Sequence, residues 1–223
     1  MNLSKSLDYF DPINSVQGQI HVIGVGAMGS RVAELLVRLG IPKIHIWDMD
    51  IVEDKNITNQ LYLHHQIGMN KTDALEEILM DINPELVVTK HGKYTDQALS
   101  GYIFLNVDSI ELRHKIASDN KDNMHIKAMF DCRMRLEDAQ SYAADWSKEK
   151  QKQQFINSMD FTDAEAVEAT PVSACGTTLS VASTVVSTAA FTVSNFMNLV
   201  RHNDKEFGTM IFVNAFEHNV LKY

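Results

Sequence analysis

Three glycines and an aspartate are the first residues in this sequence whose types and spacing suggest chemistry. Gly24, Gly26 and Gly29 lie in GVGAMG, which follows the β-rich run QIHVIGV and opens a segment of helical periodicity. Glycines at this spacing permit a tight turn and let a phosphate approach the backbone N–H groups at the positive end of a helix. Asp48 follows Gly29 by 19 positions, where a carboxylate accepts hydrogen bonds from ribose hydroxyls. These residues predict a nucleotide site and suit NAD and ATP equally.

Polar residues continue beyond Asp48 and favour ATP over NAD. The stretch DMDIVEDKNITNQ carries Asp50, Asn56 and Gln60, and IGMNK then places Lys71 at the start of a later helix. A dehydrogenase has no chemical reason to keep this series, and no acid/base constellation for hydride transfer stands out. We therefore keep an NAD-dependent oxidoreductase only as an alternative.

The elements that must position these residues follow an alternating order. Five apolar, strand-like runs alternate with helical segments: QIHVIGV, KIHIWD, ELVVTK, YIFLNV and HIKAMF. This order predicts a doubly wound, Rossmann-like α/β sheet, mainly parallel, with its ligand crevice at the carboxyl ends of the strands.

The last third of the sequence has a different pattern. DAQSYAADW and TMIFVNAF predict added antiparallel strands, SKEKQKQQFINSM a solvated helix or loop, and DFTDAEAVEAT an acidic linker. We expect one domain over residues 1–223. Residues 1–130 would form the nucleotide-binding core, and residues 131–223 the antiparallel strands, the linker and a long C-terminal helix.

Composition and charge exclude several classes of protein. A net charge of −9 without any basic block argues against a nucleic-acid surface. Two cysteines, distant in sequence, indicate neither a disulfide framework nor a zinc ribbon. The first 15 residues contain no apolar run of signal-peptide length, so we expect a cytoplasmic protein. The uncharged segment 177–200 is nearly half Ser, Thr and Asn, which favours a buried, closely packed helix over a membrane span.

The combined motifs resemble those of the ThiF/MoeB and ubiquitin-activating superfamily. That pattern runs GxGxxG, D-x-D-x-V-x-x-x-N-L-x-R-Q, I-G-x-x-K, and then an aspartate that ends a later strand. The resemblance covers most of the chain and continues through FDCRMRLEDAQSYAADW. The matching residues are Gly24, Gly26, Gly29, Asp48, Asp50, Val52, Asn56, Gln60, Ile67, Gly68, Lys71 and Asp108.

This resemblance implies ATP- and Mg²⁺-dependent adenylation of the C-terminal carboxylate of a small ubiquitin-like or sulfur-carrier protein. It implies that Lys71 offsets phosphate charge, that Asp108 holds the magnesium, and that Asn56 bonds phosphate or ribose oxygens. The other implied nucleotide contacts are the turn Gly24, Gly26, Ala27, Met28 and Gly29, together with Asp48, Asp50, Asn59 and Gln60. We also expect a homodimer that buries part of the 177–200 helix.

The sequence departs from the family pattern at two phosphate-facing arginines. The arginine of N-L-x-R-Q is Asn59, and no arginine precedes Arg31, although many relatives supply an N-terminal arginine to the neighbouring subunit. Three interpretations follow. Another residue such as Lys55 or Lys5 substitutes, or the activity is weak, or the protein is a non-catalytic module that binds a nucleotide or a carrier tail.

Several of these residues also have a plain structural interpretation. The glycines could form a tight turn without a ligand, Lys71 could be a solvated lysine, and Asn56 and Gln60 could bond their own backbone. SIELRHKIAS is predicted as a helix with Ser109 as its cap, and the plain interpretation of Asp108 is that it caps the same helix.

The two cysteines carry different expectations. Cys175 in PVSACGTTLS is predicted at a helix N-terminus, where the dipole favours a thiolate, and the resemblance implies a thioester or persulfide there. A buried cysteine among small residues is the alternative. Cys132 lies at a predicted strand end and is expected to fill the core.

Overall fold

The computed structural model describes residues 1–172 and 179–223. Its strands are β1 (Ile20–Ile23), β2 (Lys43–Trp47), β3 (Val87–His91), β4 (Gly101–Leu105), β5 (Ile126–Met134), β6 (Asp138–Asp145), β7 (Met210–Asn214) and β8 (Asn219–Lys222). Its α-helices are α1 (Pro12–Ser15), α2 (Ala27–Arg38), α3 (Lys71–Ile82), α4 (Ile110–Asp119), α5 (Glu149–Asn157), α6 (Asp163–Glu168) and α7 (Ala182–Val200). Two short 3₁₀ helices, Asp54–Thr58 and His64–Gln66, lie between β2 and α3.

The described strands form one sheet in the order β3-β2-β1-β4-β5-β6-β7-β8. The first five strands of that order pair in parallel, and β6, β7 and β8 extend the sheet with antiparallel pairing. The predicted fold class is therefore confirmed. The order reverses direction between β1 and β4, which is the switch point where open α/β sheets form their crevice.

The sheet is covered on both faces. The larger hydrophobic cluster joins α2, α3 and α7 to one face, and a second cluster joins α4 and α5 to the other. Buried side chains come from both faces of β1 and β4, so these strands are buried throughout rather than in alternation.

Two elements differ from the sequence-based expectation. The segment predicted as an acidic linker contains α6, whose start has a capping box: Thr162 Oγ1 accepts from Glu165 N–H, and the Glu165 carboxylate accepts from Thr162 N–H. The short edge strand β8 was not predicted, because all four of its residues are exposed and no apolar alternation marks it. A periodic pattern of apolar residues therefore does not identify either element.

The uncharged helix α7 packs within the chain, against α2 and the neighbouring face of β5 to β7. Two of its buried threonines bond within the helix, since Thr188 Oγ1 donates to Thr184 O at 2.8 Å and Thr192 Oγ1 to Thr188 O at 2.9 Å. Thr184 Oγ1 donates to Leu136 O at 3.0 Å, in the turn between β5 and β6. This explains how a helix so rich in hydroxyl groups is buried. Among the described helices, none combines the length and the apolar character needed to cross a membrane.

Three histidines and a tryptophan lie side by side across β1, β2 and β3, on the face of the sheet opposite α2. Trp47 Nε1 donates to His21 Nδ1 at 3.2 Å, so the hydrogen of His21 is assigned to Nε2, which donates to Gln19 Oε1 at 3.1 Å. Beside it, His45 Nδ1 lies 3.1 Å from His91 Nε2. His21 is only 2% exposed, and burial, with smaller contributions from His45 and His91, lowers its pKa to about 3. His21 is therefore held neutral.

This neutral histidine predicts a loss of stability in mild acid. The unfolded chain protonates His21 below pH 6.5 while the folded chain does not until about pH 3, so its contribution is present above pH 6.5 and falls with the pH. Between pH 7 and pH 5 we expect His21 to account for a loss of about 2 kcal/mol in the free energy of unfolding. Urea denaturation of the wild type and His21→Asn at both pH values measures it. Equal losses in the two proteins would contradict the assignment.

Candidate functional site

The three glycines of the turn between β1 and α2 have different structural roles. Gly24 has φ 86°, and a Cβ there would lie 2.7 Å from the backbone of Asn106. A Cβ on Gly29 would lie 1.8 Å from Gly24 O. A Cβ on Gly26 would meet nothing within 4 Å. Gly24 and Gly29 are thus required by packing, whereas Gly26 leaves open space at the start of a 12-residue helix whose first N–H groups lack helical partners.

The turn is held from the β2 side by Asp48 and Tyr62. The half-buried carboxylate of Asp48 accepts from Val25 N–H at 2.9 Å through Oδ2 and from Asp50 N–H at 2.9 Å through Oδ1. Tyr62 Oη donates to Val25 O at 2.6 Å, and burial raises the pKa of this phenol, with further effects from Asp48 and Asp50. Each carboxylate oxygen keeps another lone pair, so Asp48 can bind the turn and still accept a ribose hydroxyl.

Lys71 lies at the start of α3 with its ammonium against the end of β2. Lys71 is 8% exposed, its Nζ is 2.9 Å from Asp50 Oδ2, and its backbone N–H donates to Asp50 O at 2.9 Å. The Asp50 side chain is 56% exposed. The structure therefore brings a buried cation next to one of the strand-end carboxylates, Asp50, which is itself largely exposed to solvent.

The amide-rich segment forms a turn over the carboxyl end of β2. Asn56 is 8% exposed, and its Oδ1 accepts from Glu53 N–H at 2.9 Å, so its oxygen serves the turn while its two Nδ2 donors do not. Asn59 Nδ2 donates to Ser180 Oγ at 2.8 Å, which links this segment to the residues just before α7. Gln60 Oε1 is buried and has no hydrogen-bond partner among the described residues.

Asp108 follows β4 and is exposed. It does not cap α4, because Ser109 is the cap, with its Oγ accepting from Leu112 N–H at 3.0 Å. Asp163 reaches the same helix end from α6, accepting from Ser109 Oγ at 2.7 Å and from Ile110 N–H at 2.5 Å. The Asp108 carboxylate is therefore not consumed by capping and faces solvent at the carboxyl end of the sheet.

One buried ion cluster behind Asp108 was missed by the sequence analysis. Asp131 is fully buried in β5 and forms ion pairs with Arg113 and Arg133. Arg113 Nε also donates to Val107 O at 2.6 Å, immediately before Asp108. A carboxylate inside the apolar run HIKAMF-DC was the available signal, because a buried charge requires a partner. The cluster ties β5 to the loop that carries Asp108.

The lysines considered as substitutes for the missing arginines are engaged or distant. Lys55 is exposed, with Nζ 2.6 Å from Glu53 Oε2. Lys5 belongs to an N-terminal segment whose Leu3 packs where a Cβ of Gly40 would lie. Gly40 follows the C-terminal end of α2, roughly 18 Å from its N-terminus at 1.5 Å per residue. Lys5 is therefore placed away from the glycine turn of its own subunit.

Metal and thiol chemistry are constrained as follows. In the described part of the chain, no group of three or more His, Cys, Asp or Glu side chains could hold a metal ion. Mg²⁺ keeps several waters and binds through one or two carboxylates plus substrate phosphates, so the exposed Asp108 fits that mode. Burial raises the pKa of Cys132 to about 11, and its Sγ lies 3.2 Å from Thr192 Oγ1, as expected for core filling. Cys175 lies outside the described residues.

A cavity of about 1310 Å³ lies near the amino ends of the parallel strands, opposite their carboxyl ends. Its lining includes Gln17 and Asn123, which precede parallel strands, Lys127 at the start of β5, and the end of α7. The strand-end carboxylates, the glycine turn and Lys71 do not line it. We therefore place the candidate site at the carboxyl edge of β1, β2 and β4.

The fold defines a Rossmann-like α/β protein with a glycine turn at the switch point of its sheet and antiparallel strands added at one edge. The ThiF family model matches residues 13–219, and the chain belongs to the ThiF family. The family that the motifs resembled in the sequence is thus confirmed.

Individual relatives match over shorter stretches. The chain is 39% identical over 73 residues to ubiquitin-like modifier-activating enzyme 5 of Caenorhabditis elegans, covering 33% of this chain and 17% of that protein. It is 41% identical over 73 residues to the Bombyx mori enzyme of the same name, covering 33% and 19%. The matched stretch spans less than a fifth of these relatives.

Among solved structures, the chain is similar to MccB from E. coli crystallised with AMPCPP and MccA. The TM-score is 0.73 at 15% identity, covering 94% of this chain and 64% of that chain. PaaA gives a TM-score of 0.69 at 17% identity, covering 93% and 72%. Likeness at this identity supports the fold.

Proposed function

We propose that this protein is an adenylating enzyme that uses ATP and Mg²⁺ to activate the C-terminal carboxylate of a small ubiquitin-like or sulfur-carrier protein. The observation that carries the proposal is the open approach at Gly26, at the N-terminus of α2, next to the Val25 amide that Asp48 binds. The buried ammonium of Lys71 pairs with Asp50, whose own N–H donates to the same Asp48 carboxylate. Membership in the ThiF family and the names of the relatives, which activate ubiquitin-like modifiers, support it.

The chain's own residues divide the work of binding a triphosphate. The first amides of α2 face phosphate oxygens, and Asp48 accepts from a ribose hydroxyl while it keeps the turn in place. Lys71 offsets charge between phosphates once the exposed Asp50 carboxylate turns into solvent. Asn56 donates its free Nδ2 hydrogens to phosphate or ribose oxygens.

The reaction joins a carboxylate oxygen of the carrier tail to the α-phosphorus of ATP, and the bond to the β-phosphate breaks to release pyrophosphate. Asp108 would hold Mg²⁺, which would supply positive charge beside the phosphates. Positioning and charge compensation are the main tasks of the protein in such a transfer. The proposal includes a homodimer, since the structure leaves Val186 on the outer face of α7 46% exposed.

ATP–pyrophosphate exchange tests this function directly. Purified protein, ATP and Mg²⁺ are mixed with labelled pyrophosphate and with candidate carrier proteins ending in a free carboxylate. We expect label to enter ATP only when a carrier is present, and a carrier lacking its last two residues serves as the matched control. ATP binding without exchange for any carrier would argue against catalysis.

A second candidate, a non-catalytic module that binds a nucleotide or a carrier tail, is favoured by Asn59. This residue replaces a family arginine and bonds Ser180 at 2.8 Å instead of offering a positive charge. Under this alternative the wild type binds ATP but does not exchange pyrophosphate.

Restoring the charge at position 59 separates the two candidates. Because an arginine on a transferring phosphoryl group contributes roughly 10³ to 10⁵ in rate, we expect Asn59→Arg to raise exchange at least about tenfold. Asn59→Ala removes the bond to Ser180 without adding charge and should not raise exchange. Exchange that appears only in Asn59→Arg would support the non-catalytic module, whereas no gain would place position 59 away from the phosphates.

A further inference from the structure

The side chain of Asn106 is buried without hydrogen-bond partners. The residue is 7% exposed, and neither its Oδ1 nor its Nδ2 has a partner among residues 1–172 and 179–223. An amide buried in this way costs free energy, so such groups are rare in folded proteins. Asn106 contributes two of the five buried, unpartnered side-chain atoms found in the described chain.

The position of Asn106 is adjacent to the glycine turn on two sides. A Cβ added to Gly24 would lie 2.7 Å from the backbone of Asn106, and a Cβ added to Gly29 would lie 3.3 Å from the Cβ of Asn106. Its backbone N–H donates to Ile23 O at 2.7 Å, across the switch point between β1 and β4. The backbone and Cβ of Asn106 therefore pack against the glycine turn and the first turn of α2.

An anion bound at the N-terminus of α2 would give the Asn106 amide the hydrogen-bond partner that the described residues do not supply. The open space at Gly26 allows a phosphate to contact the first amides of that helix, and Asn106 packs against the same helical turn at Gly29. Phosphate oxygens accept hydrogen bonds, and Nδ2 carries two donors. A neutral amide adds a donor without adding charge beside the Asp48 carboxylate.

We propose that Asn106 is a phosphate-binding residue whose Nδ2 donates to an oxygen of the nucleotide phosphate at the start of α2. This inference rests on the proposed ATP site and adds to it a residue from β4. Without phosphate, the Asn106 amide has no hydrogen-bond partner, which costs free energy in the folded protein. Phosphate binding supplies the partner and removes this cost. Removing the amide should therefore weaken nucleotide binding without weakening the fold.

The matched control is a buried asparagine whose amide is fully bonded. Asn195 on α7 is 1% exposed, donates from Nδ2 to Gly208 O at 2.8 Å, and accepts from Gly208 N–H at 2.9 Å. Asn195→Leu should lower the thermal midpoint and leave the affinity for ATP within about twofold, because it leaves Gly208 unpaired far from the glycine turn.

The test combines thermal denaturation without nucleotide and calorimetric titration of ATP with Mg²⁺. For Asn106→Leu we expect an unchanged or raised midpoint and an affinity for ATP about tenfold to a hundredfold weaker, as for one hydrogen bond to a charged group. Asn106→Asp should weaken ATP binding further by charge repulsion. Adenosine, which lacks phosphate, should bind the wild type, Asn106→Leu and Asn106→Asp with equal affinity.

Each outcome decides the proposal. Wild-type affinity for ATP in Asn106→Leu overturns it, as does a fall in midpoint like that of Asn195→Leu, which would indicate a structural role. An equal loss for adenosine would overturn the phosphate assignment. If the wild type itself does not bind ATP, the proposed function fails, and that result is distinguishable because it precedes any comparison of variants.

Discussion

Replacing Lys71 by methionine should lower the rate of ATP–pyrophosphate exchange by about 10² to 10³-fold, the range for removing one group that stabilises transition-state charge. Methionine retains most of the aliphatic length and packing of the buried stem but removes the ammonium 2.9 Å from Asp50. Because Asp50 is 56% exposed, its carboxylate can be solvated after the change. We therefore expect a change in stability of less than about 1 kcal/mol.

The control for this experiment is Lys43→Met. Lys43 is exposed at the amino end of β2, away from the strand-end carboxylates, and its replacement should leave exchange within about twofold. Comparable exchange by Lys71→Met and Lys43→Met would remove Lys71 from the site. If Lys71→Met lost both exchange and its cooperative unfolding transition, the lysine would be structural.

Replacing Asp131 by alanine should lower the free energy of unfolding by about 3–5 kcal/mol, the cost of breaking a buried ion pair from one side. Asp131 is fully buried and bonds Arg113 and Arg133, and the Arg113 side chain is only 8% exposed. Without the carboxylate, the Arg113 guanidinium stays in the core with only carbonyl partners, Val107 O and Cys132 O. Urea denaturation measures the loss.

The matched control is an exposed ion pair on the neighbouring helix. Lys115 pairs with Asp96 and Asp119, and all three side chains are more than half exposed, so Lys115→Met should leave the free energy of unfolding close to that of the wild type. A loss for Asp131→Ala no larger than that for Lys115→Met would mean that water or rearrangement relieves the buried charge. Since Arg113 also holds Val107, Asp131→Ala should in addition weaken the binding of Mg²⁺ and ATP.

Much of the parallel part of the sheet was predictable because its signals are local. Apolar runs that lack alternation indicated buried parallel strands, and the glycine spacing indicated the turn before α2. Ser109 was identified as the cap of α4 from residue type and position, and the structure has its Oγ bonded to Leu112 N–H. The short elements α6 and β8 were missed because neither buries a periodic apolar face, although the Thr162–Glu165 capping box is a local signal for the start of α6.

The candidate site divides in the same way. Residue types and spacing identified Lys71, Asp48 and Asp108, but not their partners. That Lys71 pairs with Asp50, and that the start of α4 is occupied by the carboxylate of Asp163, depends on how loops from different parts of the chain meet. The sequence contains no signal for Asn106, because its burial results from the glycine turn that packs against it.

By itself the sequence determined the order of strands and helices, the glycine turn, the polar strand ends and the family. These features follow from chain periodicity and from the backbone freedom of glycine, which act over a few residues. The tertiary structure decided which charges are neutralised and which amides are left without partners. Those properties depend on burial and on pairing across the sheet, and no short stretch of sequence contains both partners.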